Sequence, residues 1–566
     1  MKKNQFFSLA LLASLAVSSC ATEEPVGEQD ISNGDPRYLS VNIVPTSIDG
    51  SRSTDGGYEN GTDVENTISK VRFYFFTDGG DPAKVKADGA NYKSYYDWTN
   101  PGKGTSNPDG NNVSKVLNPV IVINTPEGDK LPGQVIAIIN PDDANLGNTD
   151  FNLENLRLKY SDYADRAAKG KFAMANSVYV NGNEVIKSTK LKASDFKASP
   201  EAAKAGPVDI YVERCVAKVR ARYNESLVFD AKGLLRAKTK GTDGAPGSDI
   251  TIHGEDADID VYIKIEGWNL TYTMPAANIS KHINLSWNNN TLGSGIPWYN
   301  SDLHRSFWAS QNQIEGGKNI SIPWNSAKAL NFTNGIAYAN ENAERLGDSN
   351  LEATNIIVAA TLCDKDGNAL TVCDYSGMKF ADDNNFSSLK AMVLTYLNNG
   401  SSTYYKKQTV EGGTKYVKIA KEDITFKQNV QATSDKYNVY ALLTETAKDY
   451  EWVTASSADE EITDNSQVTA INSDAVNTQL KAQGLAQIYN NGMSYYYAPI
   501  KHYTLDGIVR NHIYAISVDG FYGMGTPVYD PNWNIVLEKP KSDDAFLAAR
   551  INILAWHLMQ NNITFD

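Results

Sequence analysis

The longest alternation of apolar and polar residues places the strongest constraint on the fold. It extends over residues 207–223, PVDIYVERCVAKVRARY, where apolar side chains occupy one parity up to Val212 and the other from Cys215 onward. A period of two is typical of β-strands, and a change of phase indicates a bulge or a strand that passes between two sheets. We therefore predict a long strand that is interrupted near residues 213–214.

Runs of strand length recur along the chain, whereas helical spacing is rare. Further strands are predicted at 70–76, 119–124, 134–139, 259–265, 355–363, 390–397, 404–410, 416–419, 437–443 and 509–520. The uniformly apolar runs at 119–124 and 134–139 favour central strands that are covered on both faces. Helices are predicted at 149–169 and 473–483.

These patterns predict an all-β protein made of two tandem antiparallel β-sandwich domains, with short helices in the connections. The 566 residues are enough for two or more hydrophobic cores. A stretch rich in Gly, Asp and Thr at 237–256 predicts the boundary, which gives domains at 53–250 and 251–566.

The first twenty residues predict export and lipid attachment. Two lysines precede an apolar core at 6–17, which is too short to span a membrane and therefore predicts a signal peptide over residues 1–19. Small residues precede Cys20, an arrangement that resembles the bacterial lipobox, in which the cysteine thiol is acylated. Cys20 is thus the predicted lipidation site, and an ordinary secreted protein is the alternative.

A short strand and a polar loop follow this signal. An acidic tether leads to residues 38–44, where apolar residues recur at every second position from Leu39 onward, as in a half-buried strand. The next residues are rich in Ser, Gly and Asp and include Arg52, and exposed loops of this kind are preferred sites of proteolysis. We hypothesise that the strand is temporary and that residues 20–52 form a propeptide; an inert loop arginine is the alternative.

Composition and motifs argue against several other functions. The formal net charge is −14, and an acidic surface repels the phosphate backbone of nucleic acids. The six histidines stand singly, and the sequence carries no zinc-protease, P-loop, dinucleotide-binding or GxSxG motif. We therefore predict no nucleic-acid partner, no cofactor, no metal site and no enzyme activity, while paired carboxylates from distant segments leave a surface hydrolase open.

Cysteines and tryptophans are assigned mainly to packing. Cys215 falls on an apolar strand face and is predicted to be a buried thiol. Cys363 and Cys373 flank a predicted hairpin turn but do not face each other across it, which argues against a disulfide. Five of the nine tryptophans cluster around Trp298 and Trp308, where core packing is favoured and a sugar-stacking platform is the alternative.

Several segments together resemble one known family. They are VERCVAKVRA (212–221), HRSFWA (304–309), YAPIKHY (497–503), VRNHIYAISVDGFYGMGTPVYDP (509–531) and INILAWHL (551–558), in addition to the lipobox and the leader strand. They resemble segments of the large fimbrilins of Bacteroidota, which are type V pilins of the minor-fimbrium type. The likeness runs across nearly the whole chain, with insertions, and implies a β-sandwich subunit of a surface fimbrium that supports adhesion.

The resemblance also implies a route of assembly. Such pilins reach the cell surface as outer-membrane lipoproteins, and an Arg-specific protease then removes the N-terminal strand. The matching scissile bond joins Arg52 and Ser53, because cleavage at Arg37 would leave the strand in place. The C-terminal segment of another copy, here about residues 547–565, then fills the groove. Its implied donor side chains are Ile551, Ile553, Leu554, Trp556 and Leu558.

The implied partners are further copies of the chain, anchor and tip subunits, the Arg-specific surface protease and host or bacterial surface ligands. A fimbrial tip adhesin is one alternative, because long insertions rich in Asn, Ser and Gly surround the tryptophan cluster. A monomeric glycan-binding surface lipoprotein is another, with Trp298, Trp308 and the tyrosines at 495–497 as stacking platforms.

Overall fold

The computed structural model is dominated by β-strands, and its helices are short, which confirms the predicted all-β class. The tandem-sandwich arrangement and the domain bounds at 53–250 and 251–566 stay predictions. The structure describes residues 37–45, 59, 61–86, 91–99, 101, 117–242, 245–287, 298–310, 320–343, 353–429, 437–503, 505–535, 537, 546–554 and 559–561. Within 42–45, 546–554 and 559–561 it describes the backbone alone.

The N-terminal part of the described chain forms one sheet, here called sheet A. Its strands are β1 (Arg37–Pro45), β2 (Lys70–Phe76), β3 (Tyr95–Thr99), β4 (Val120–Ile123), β5 (Gln134–Ile139), β6 (Met174–Asn176), β7 (Thr189–Lys190) and β8 (Val208–Arg214). The order is β3-β2-β5-β6-β8-β1-β4, and β7 pairs with β5. Sheet A supplies most of the first hydrophobic cluster, which includes Leu39, Phe73, Ile138 and Val212.

The strand predicted over 207–223 passes between two sheets, as its change of phase indicated. The first part of this run is β8, which belongs to sheet A. The strand is interrupted at Cys215, and the second part is β9 (Val216–Tyr223), which belongs to another sheet. The hydrophobic clusters change at the same point, because Val216 belongs to the first cluster and Ala217 to the second. The crossover at Cys215 therefore joins two sheets and two cores.

The rest of the chain forms three further main sheets and several small ones. The labelled strands are β10 (Leu234–Arg236), β11 (Tyr262–Thr271), β12 (Ile336–Asn340), β13 (Asn355–Cys363), β14 (Thr403–Val410), β15 (Gly413–Lys418), β16 (Trp452–Ala455), β17 (Glu461–Ile462), β18 (Thr469–Ile471), β19 (Met493–Pro499), β20 (Ile513–Tyr522), β21 (Thr526–Pro527), β22 (Phe546–Leu554) and β23 (Met559–Asn561). Sheet B has the order β12-β9-β20-β22-β23, sheet C the order β10-β11-β13-β19-β21, and sheet D the order β17-β15-β14-β16-β18.

The small sheets are formed by short strands that lie between the labelled strands along the chain. They pair Tyr160–Ser161 with Ala277–Asn278, Tyr179–Asn181 with Glu184–Ile186, Lys238–Lys240 with Pro246–Asp249, Thr251–Ile252 with Ile259–Asp260, Tyr299–Asn300 with Arg305–Ser306, Ile424–Gln428 with Val439–Leu443, Leu505–Ile508 with Asn342–Ala343 and Lys501–His502, and Thr371–Tyr375 with Met378–Asp382 and Gln487–Tyr489. Most strands predicted from the two-residue period are therefore found close to their expected positions.

The helices lie in the connections between strands. They are α1 (Asp143–Leu146), α2 (Leu153–Arg157), α3 (Tyr163–Ala168), α4 (Pro200–Ala205), α5 (Trp324–Ala327), α6 (Ser387–Leu397), α7 (Glu445–Lys448) and α8 (Ser473–Ala482), with single 3₁₀ turns at Ala193–Asp195, Lys421–Asp423, Asn465–Gln467 and Asn490–Gly492. Helix α8 confirms the helix predicted at 473–483. Across the residues that the structure describes, every helix is too short or too polar to cross a bilayer.

One predicted helix is divided and one predicted strand is wrong. The run 149–169 forms α2 and α3, because the Asp162 side chain accepts the Asp165 N–H and so caps a second helix. The run 390–397 lies in α6 and is not a strand. The carboxylates of Asp382 and Asp383 accept the N–H groups of its first turn, which fixes the helix start despite the β-forming residues that follow.

The prediction of a doubly covered strand at 119–124 is also wrong. β4 buries Ile121 and Ile123, whereas Val122 between them is 38% exposed. Alternate side chains of a strand point to opposite faces of the sheet, so β4 buries the face that carries Ile121 and Ile123 and leaves the face of Val122 open. The similar run at 134–139 is fully buried in β5, as predicted.

Candidate functional site

The predicted leader strand is a strand of sheet A, and it connects two other strands. Its first part pairs antiparallel with β4, with Arg37 opposite Ile123 and Ser40 opposite Val120. Its second part pairs parallel with β8, from Val41 opposite Val208 to Pro45 opposite Val212. In the described part of the chain, β1 is therefore the only strand that links β4 to the rest of sheet A.

The side chains of β1 enter the first hydrophobic cluster. Leu39 and Val41 are both 0% exposed, and they share this cluster with Ile121 of β4 and Ile210 of β8. Ser40, predicted on an open face, is also buried, so at this position the strand is covered on both sides. Its hydroxyl has no hydrogen-bond partner among the described residues. Removal of β1 would thus leave the buried positions of Leu39 and Val41 empty, and it would return the unpaired Ser40 hydroxyl to water.

Further backbone contacts hold the start of β1. Tyr38 N–H donates to the Lys197 carbonyl and Lys197 N–H to the Tyr38 carbonyl, both at 2.8 Å. Val41 N–H donates to the Pro119 carbonyl at 3.2 Å, and α4 packs beside the strand. These bonds are made by the backbone, so another extended segment with a different sequence could form the same set.

A second feature, which sequence reasoning missed, fixes the chain beyond the predicted cleavage site. Glu65 is buried, and its carboxylate lies 2.7 Å from the Lys218 ammonium of β9. It also accepts hydrogen bonds from the Tyr338 hydroxyl at 2.6 Å and from Thr62 N–H at 2.7 Å. Burial alone would raise the pKa of Glu65, but the bonds from Lys218 and Tyr338 outweigh it and lower that pKa, so the group is a carboxylate.

Two arginines of the crossover strand bind the same segment. Arg220 donates two hydrogen bonds to the two oxygens of the Glu59 carboxylate, at 2.7 and 3.1 Å, in a bidentate ion pair. Arg214 donates to the side chain of Asn66 and to the Glu65 carbonyl. We call these contacts of residues 59–66 with β8 and β9 the crossover clamp. The signal in the sequence was the series of basic residues Arg214, Lys218 and Arg220 within one long strand, because basic side chains that become buried need acidic partners.

The predicted cleavage site lies between two anchored segments. β1 ends opposite Val212, and the crossover clamp begins at Glu59, so both attachments are to the strand pair β8–β9. Arg52 and Ser53 themselves, like Cys20, lie outside the described residues.

The C-terminal segment forms the outer part of sheet B. β22 pairs antiparallel with β20, from Ile513 opposite Leu554 to Tyr522 opposite Phe546, with a register shift between Val518 and Gly520. β23 folds back onto β22, so this hairpin ends the order of sheet B among the described strands.

Of the implied donor residues, three lie in β22 and two fall outside the described residues. Ile551, Ile553 and Leu554 belong to the strand, where the backbone alone is described. Trp556 and Leu558 lie beyond it, outside the described part of the chain. Their roles as donor side chains stay predictions.

The tryptophan cluster is part of the interior. Trp308 is fully buried, and Trp298 is buried against Trp287 with ring centroids 5.6 Å apart. Tyr495 and Tyr496 are buried as well. The prediction of core packing is confirmed for Trp298 and Trp308. Tyr497, the remaining tyrosine of the alternative stacking platform, is half-buried, so these residues present little open ring surface to a sugar.

The three thiols in the described part of the chain are all buried. Cys215 is fully buried, and burial raises the pKa of its thiol to about 12, which confirms the prediction of an inert buried cysteine. Cys363 and Cys373 are buried free thiols. Among the described residues, no three His, Cys, Asp or Glu side chains are grouped so that they could hold a metal ion.

The C-terminal segment matches a fimbrial family. Residues 487–562, which include β19 to β23, match the family described as major fimbrial subunit protein type IV, fimbrillin, C-terminal. This match confirms the predicted resemblance to fimbrilins, and it supports a structural role as a cell-surface fimbrial subunit that associates with other subunits. No functionally curated protein matches the sequence.

Three solved structures align with this chain at low identity. A fimbrilin from Porphyromonas gingivalis W83 is 12% identical to this chain, and the alignment covers 93% of this chain and 99% of the fimbrilin, with a TM-score of 0.34. A fimbrial assembly protein from Parabacteroides distasonis is 11% identical over 68% of this chain and 96% of its own, at 0.28. The tip fimbrial protein Mfa3 from Porphyromonas gingivalis is 11% identical over 67% and 98%, at 0.26. TM-scores this low carry no argument for fold or function.

Proposed function

We propose that this chain is a structural subunit of a surface fimbrium, exported as an outer-membrane lipoprotein acylated at Cys20, cleaved between Arg52 and Ser53, and polymerised by donor-strand exchange. One observation carries the proposal. β1 fills a buried position in sheet A, and the chain between β1 and the crossover clamp contains Arg52. A single cut there separates the strand from the body of the protein without touching either anchor.

Cleavage changes β1 from a tethered strand to a separate peptide. While the chain is intact, a short linker holds β1 at an effective concentration of about the millimolar range. After the cut, its backbone bonds contribute about 0.5–1.5 kcal/mol each, and Leu39 and Val41 about 1.5–3 kcal/mol each. Once the leader departs it is diluted, whereas the strand of a neighbouring subunit offers the same kinds of contact.

The C-terminal hairpin is the proposed donor. It lies at the end of sheet B in the described fold, so β22 and β23 can leave without separating β20 from β9. In the acceptor, Ile551, Ile553, Leu554, Trp556 and Leu558 would replace the apolar contacts of β1. Because donor and acceptor are different surfaces of one chain, each added subunit exposes a new site, and assembly gives an open filament.

A competition experiment tests this mechanism. Purified precursor is cut by limited digestion with an Arg-specific protease, and its products are followed by size-exclusion chromatography with N-terminal sequencing. We expect a new N-terminus at Ser53 followed by growth of multimers. An excess of synthetic peptide with the sequence of residues 37–45 should block that growth, whereas a scrambled peptide should not. Multimers that form equally well with the matched peptide would show that the β1 position is not the acceptor.

A further inference from the structure

A lysine and a glutamate lie enclosed together beside the crossover between the sheets. The side chains of Lys281 and Glu213 are 0% and 2% exposed, and Nζ lies 2.9 Å from Oε2. The same Nζ donates to the Ser306 carbonyl at 2.9 Å. The other carboxyl oxygen of Glu213, Oε1, is buried and has no hydrogen-bond partner among the described residues.

This environment disfavours charge on both groups. Burial raises the pKa of Glu213 and lowers the pKa of Lys281, and in each case burial outweighs the attraction of the partner. The neutral amine and the protonated carboxyl group are therefore more favoured in this buried site than they would be in water. These are the forms in which an amine is nucleophilic and a carboxyl carbon can be attacked.

The pair Lys218–Glu65 provides a contrast within the same molecule. It has a similar separation, 2.7 Å, and similar burial. However, Glu65 accepts additional bonds from Tyr338 and Thr62, so both of its oxygens are satisfied as an anion. Glu213 has one satisfied oxygen and one unsatisfied oxygen, which is a poor arrangement for a permanent buried carboxylate.

We propose that Lys281 and Glu213 condense to form an intramolecular isopeptide bond. The Lys281 nitrogen attacks Cδ of Glu213, one N–H bond and the C–OH bond break, and the C–N bond of an amide forms. The proton and the hydroxyl group leave together as one water molecule, so the step needs neither an oxidant nor a reductant. Near-attack geometries have reacting atoms roughly 3–3.5 Å apart, and Cδ is one bond beyond the contacting oxygen.

Neighbouring groups hold the lysine segment in this position. Arg510 is buried and donates to the carbonyls of Asn278 at 2.7 Å and Ile279 at 3.1 Å, which lie three and two residues before Lys281. The Arg510 guanidinium is in turn held by the Glu341 carboxylate at 2.9 Å. Arg510 is thus a positioning residue, and the enclosure that it helps to form keeps out the water that would hydrolyse the amide.

The bond would have a mechanical consequence for sheet A. Glu213 lies in β8, the strand that carries the second half of β1, while Lys281 follows the short strand Ala277–Asn278. A covalent link between them would hold β8 in place when its neighbour is removed. It would also close a loop between residues 68 positions apart, which limits extension of the chain under tension.

Mass spectrometry of the full chain tests the proposal directly. The denatured protein should be lighter by one water than the mass calculated for its observed termini. After tryptic digestion, the peptide that contains Glu213 should be joined to a peptide in which cleavage after Lys281 is blocked. A full calculated mass, together with normal cleavage after Lys281 and separate linear peptides, would overturn the proposal.

Matched variants locate the bond. Lys281→Met should abolish both the mass deficit and the joined peptide, whereas Lys218→Met, which alters the contrasting pair, should retain them. A deficit that persists in Lys281→Met would place the dehydration elsewhere and contradict the assignment. Because the decisive spectrum is that of the unaltered protein, misfolding of a variant leaves the test intact. The result is also independent of cleavage at Arg52, since both residues lie downstream of it.

Discussion

β1 and the β22–β23 hairpin are both terminal segments that complete a sheet, but they are attached in different ways. β1 connects β4 to β8 and buries Leu39 and Val41 completely. The hairpin lies outside β20 at the end of sheet B, and β23 is the last strand of the described fold. Loss of β1 separates two strands of a sheet, whereas loss of the hairpin shortens a sheet and leaves its other pairings intact.

This difference suggests how one chain can provide both halves of an intersubunit contact. An acceptor needs a strand position whose loss raises the free energy of the fold substantially, because that free energy then favours binding of a new strand. A donor needs a segment whose detachment raises the free energy of the fold only slightly. The crossover clamp adds a third requirement, since it keeps the new N-terminal region attached while β1 leaves.

The largest effect is expected from deletion of the donor. A chain without residues 547–566 should fold and be cleaved but form no polymers, because the remaining strands of sheet B still pair. Electron microscopy and size-exclusion chromatography of the cleaved protein measure this result. Polymers of normal length from the deleted chain would remove the C-terminal segment from the account.

Substitution of the cleavage residue should block assembly at an earlier step. Arg52→Ala should keep β1 covalently attached, so the protein stays monomeric with the leader strand in place. Arg37→Ala is the matched control and should mature and polymerise normally. The N-terminus on the cell surface, read by sequencing, distinguishes the two, and normal polymerisation of Arg52→Ala would contradict the assigned bond.

The crossover clamp should depend on its buried member far more than on its exposed one. Glu65→Ala leaves the buried Lys218 without its partner and should lower the free energy of unfolding by about 3–5 kcal/mol. Glu59→Ala, at a partly exposed pair, should cost about 0–1 kcal/mol. Urea unfolding of the mature form measures both, and equal effects would show that burial does not govern the clamp.

Two adjacent residues of β1 should act in opposite directions, and only before cleavage. Leu39→Ala should lower the free energy of unfolding of the precursor by about 2–5 kcal/mol, since it empties a fully buried position. Ser40→Ala should raise it by about 1–3 kcal/mol, because it removes a buried hydroxyl without a partner. Neither change should alter the mature protein. An effect on the mature form would mean that β1 remains in it.

A graded effect is expected on acidification. His282 is half-buried and His512 is buried, and the loss of hydration lowers the pKa of His282 from 6.5 to about 4 and that of His512 well below its usual value. Below pH 6.5 the unfolded chain therefore binds protons that the fold does not. Stability should fall by about 1.4 kcal/mol per pH unit for each histidine, and for His282 this loss ends near pH 4.

Urea unfolding between pH 7 and pH 5 measures this slope. His282→Gln should reduce this slope. His512 directly precedes β20, which carries β22, so acid should weaken the donor side of the molecule. A slope that does not change in His282→Gln would contradict its neutral state.

The strands could be predicted from sequence because their two-residue period is a local property. The change of phase at Cys215 even indicated the passage between sheets. Predictions failed where distant or flanking groups decide the outcome. Asp382 and Asp383 start α6 in a run of β-forming residues, and Val122 is exposed because β4 buries only the face that carries Ile121 and Ile123.

The candidate site could be predicted only in part for the same reason. The leader strand and Arg52 are contiguous, so pattern and composition reveal them. The crossover clamp and the Lys281–Glu213 pair join residues far apart in sequence, and only the basic residues inside an apolar strand hinted that acidic partners must exist.

Donor-strand exchange requires that β1 be absent from the assembled protein. The N-terminal sequence and peptide map of the protein in fibres isolated from the cell surface test this requirement. We expect a chain that starts at Ser53 and contains no peptide from residues 37–45. A chain that starts at lipidated Cys20 and retains β1 within the fibres would contradict donor-strand exchange.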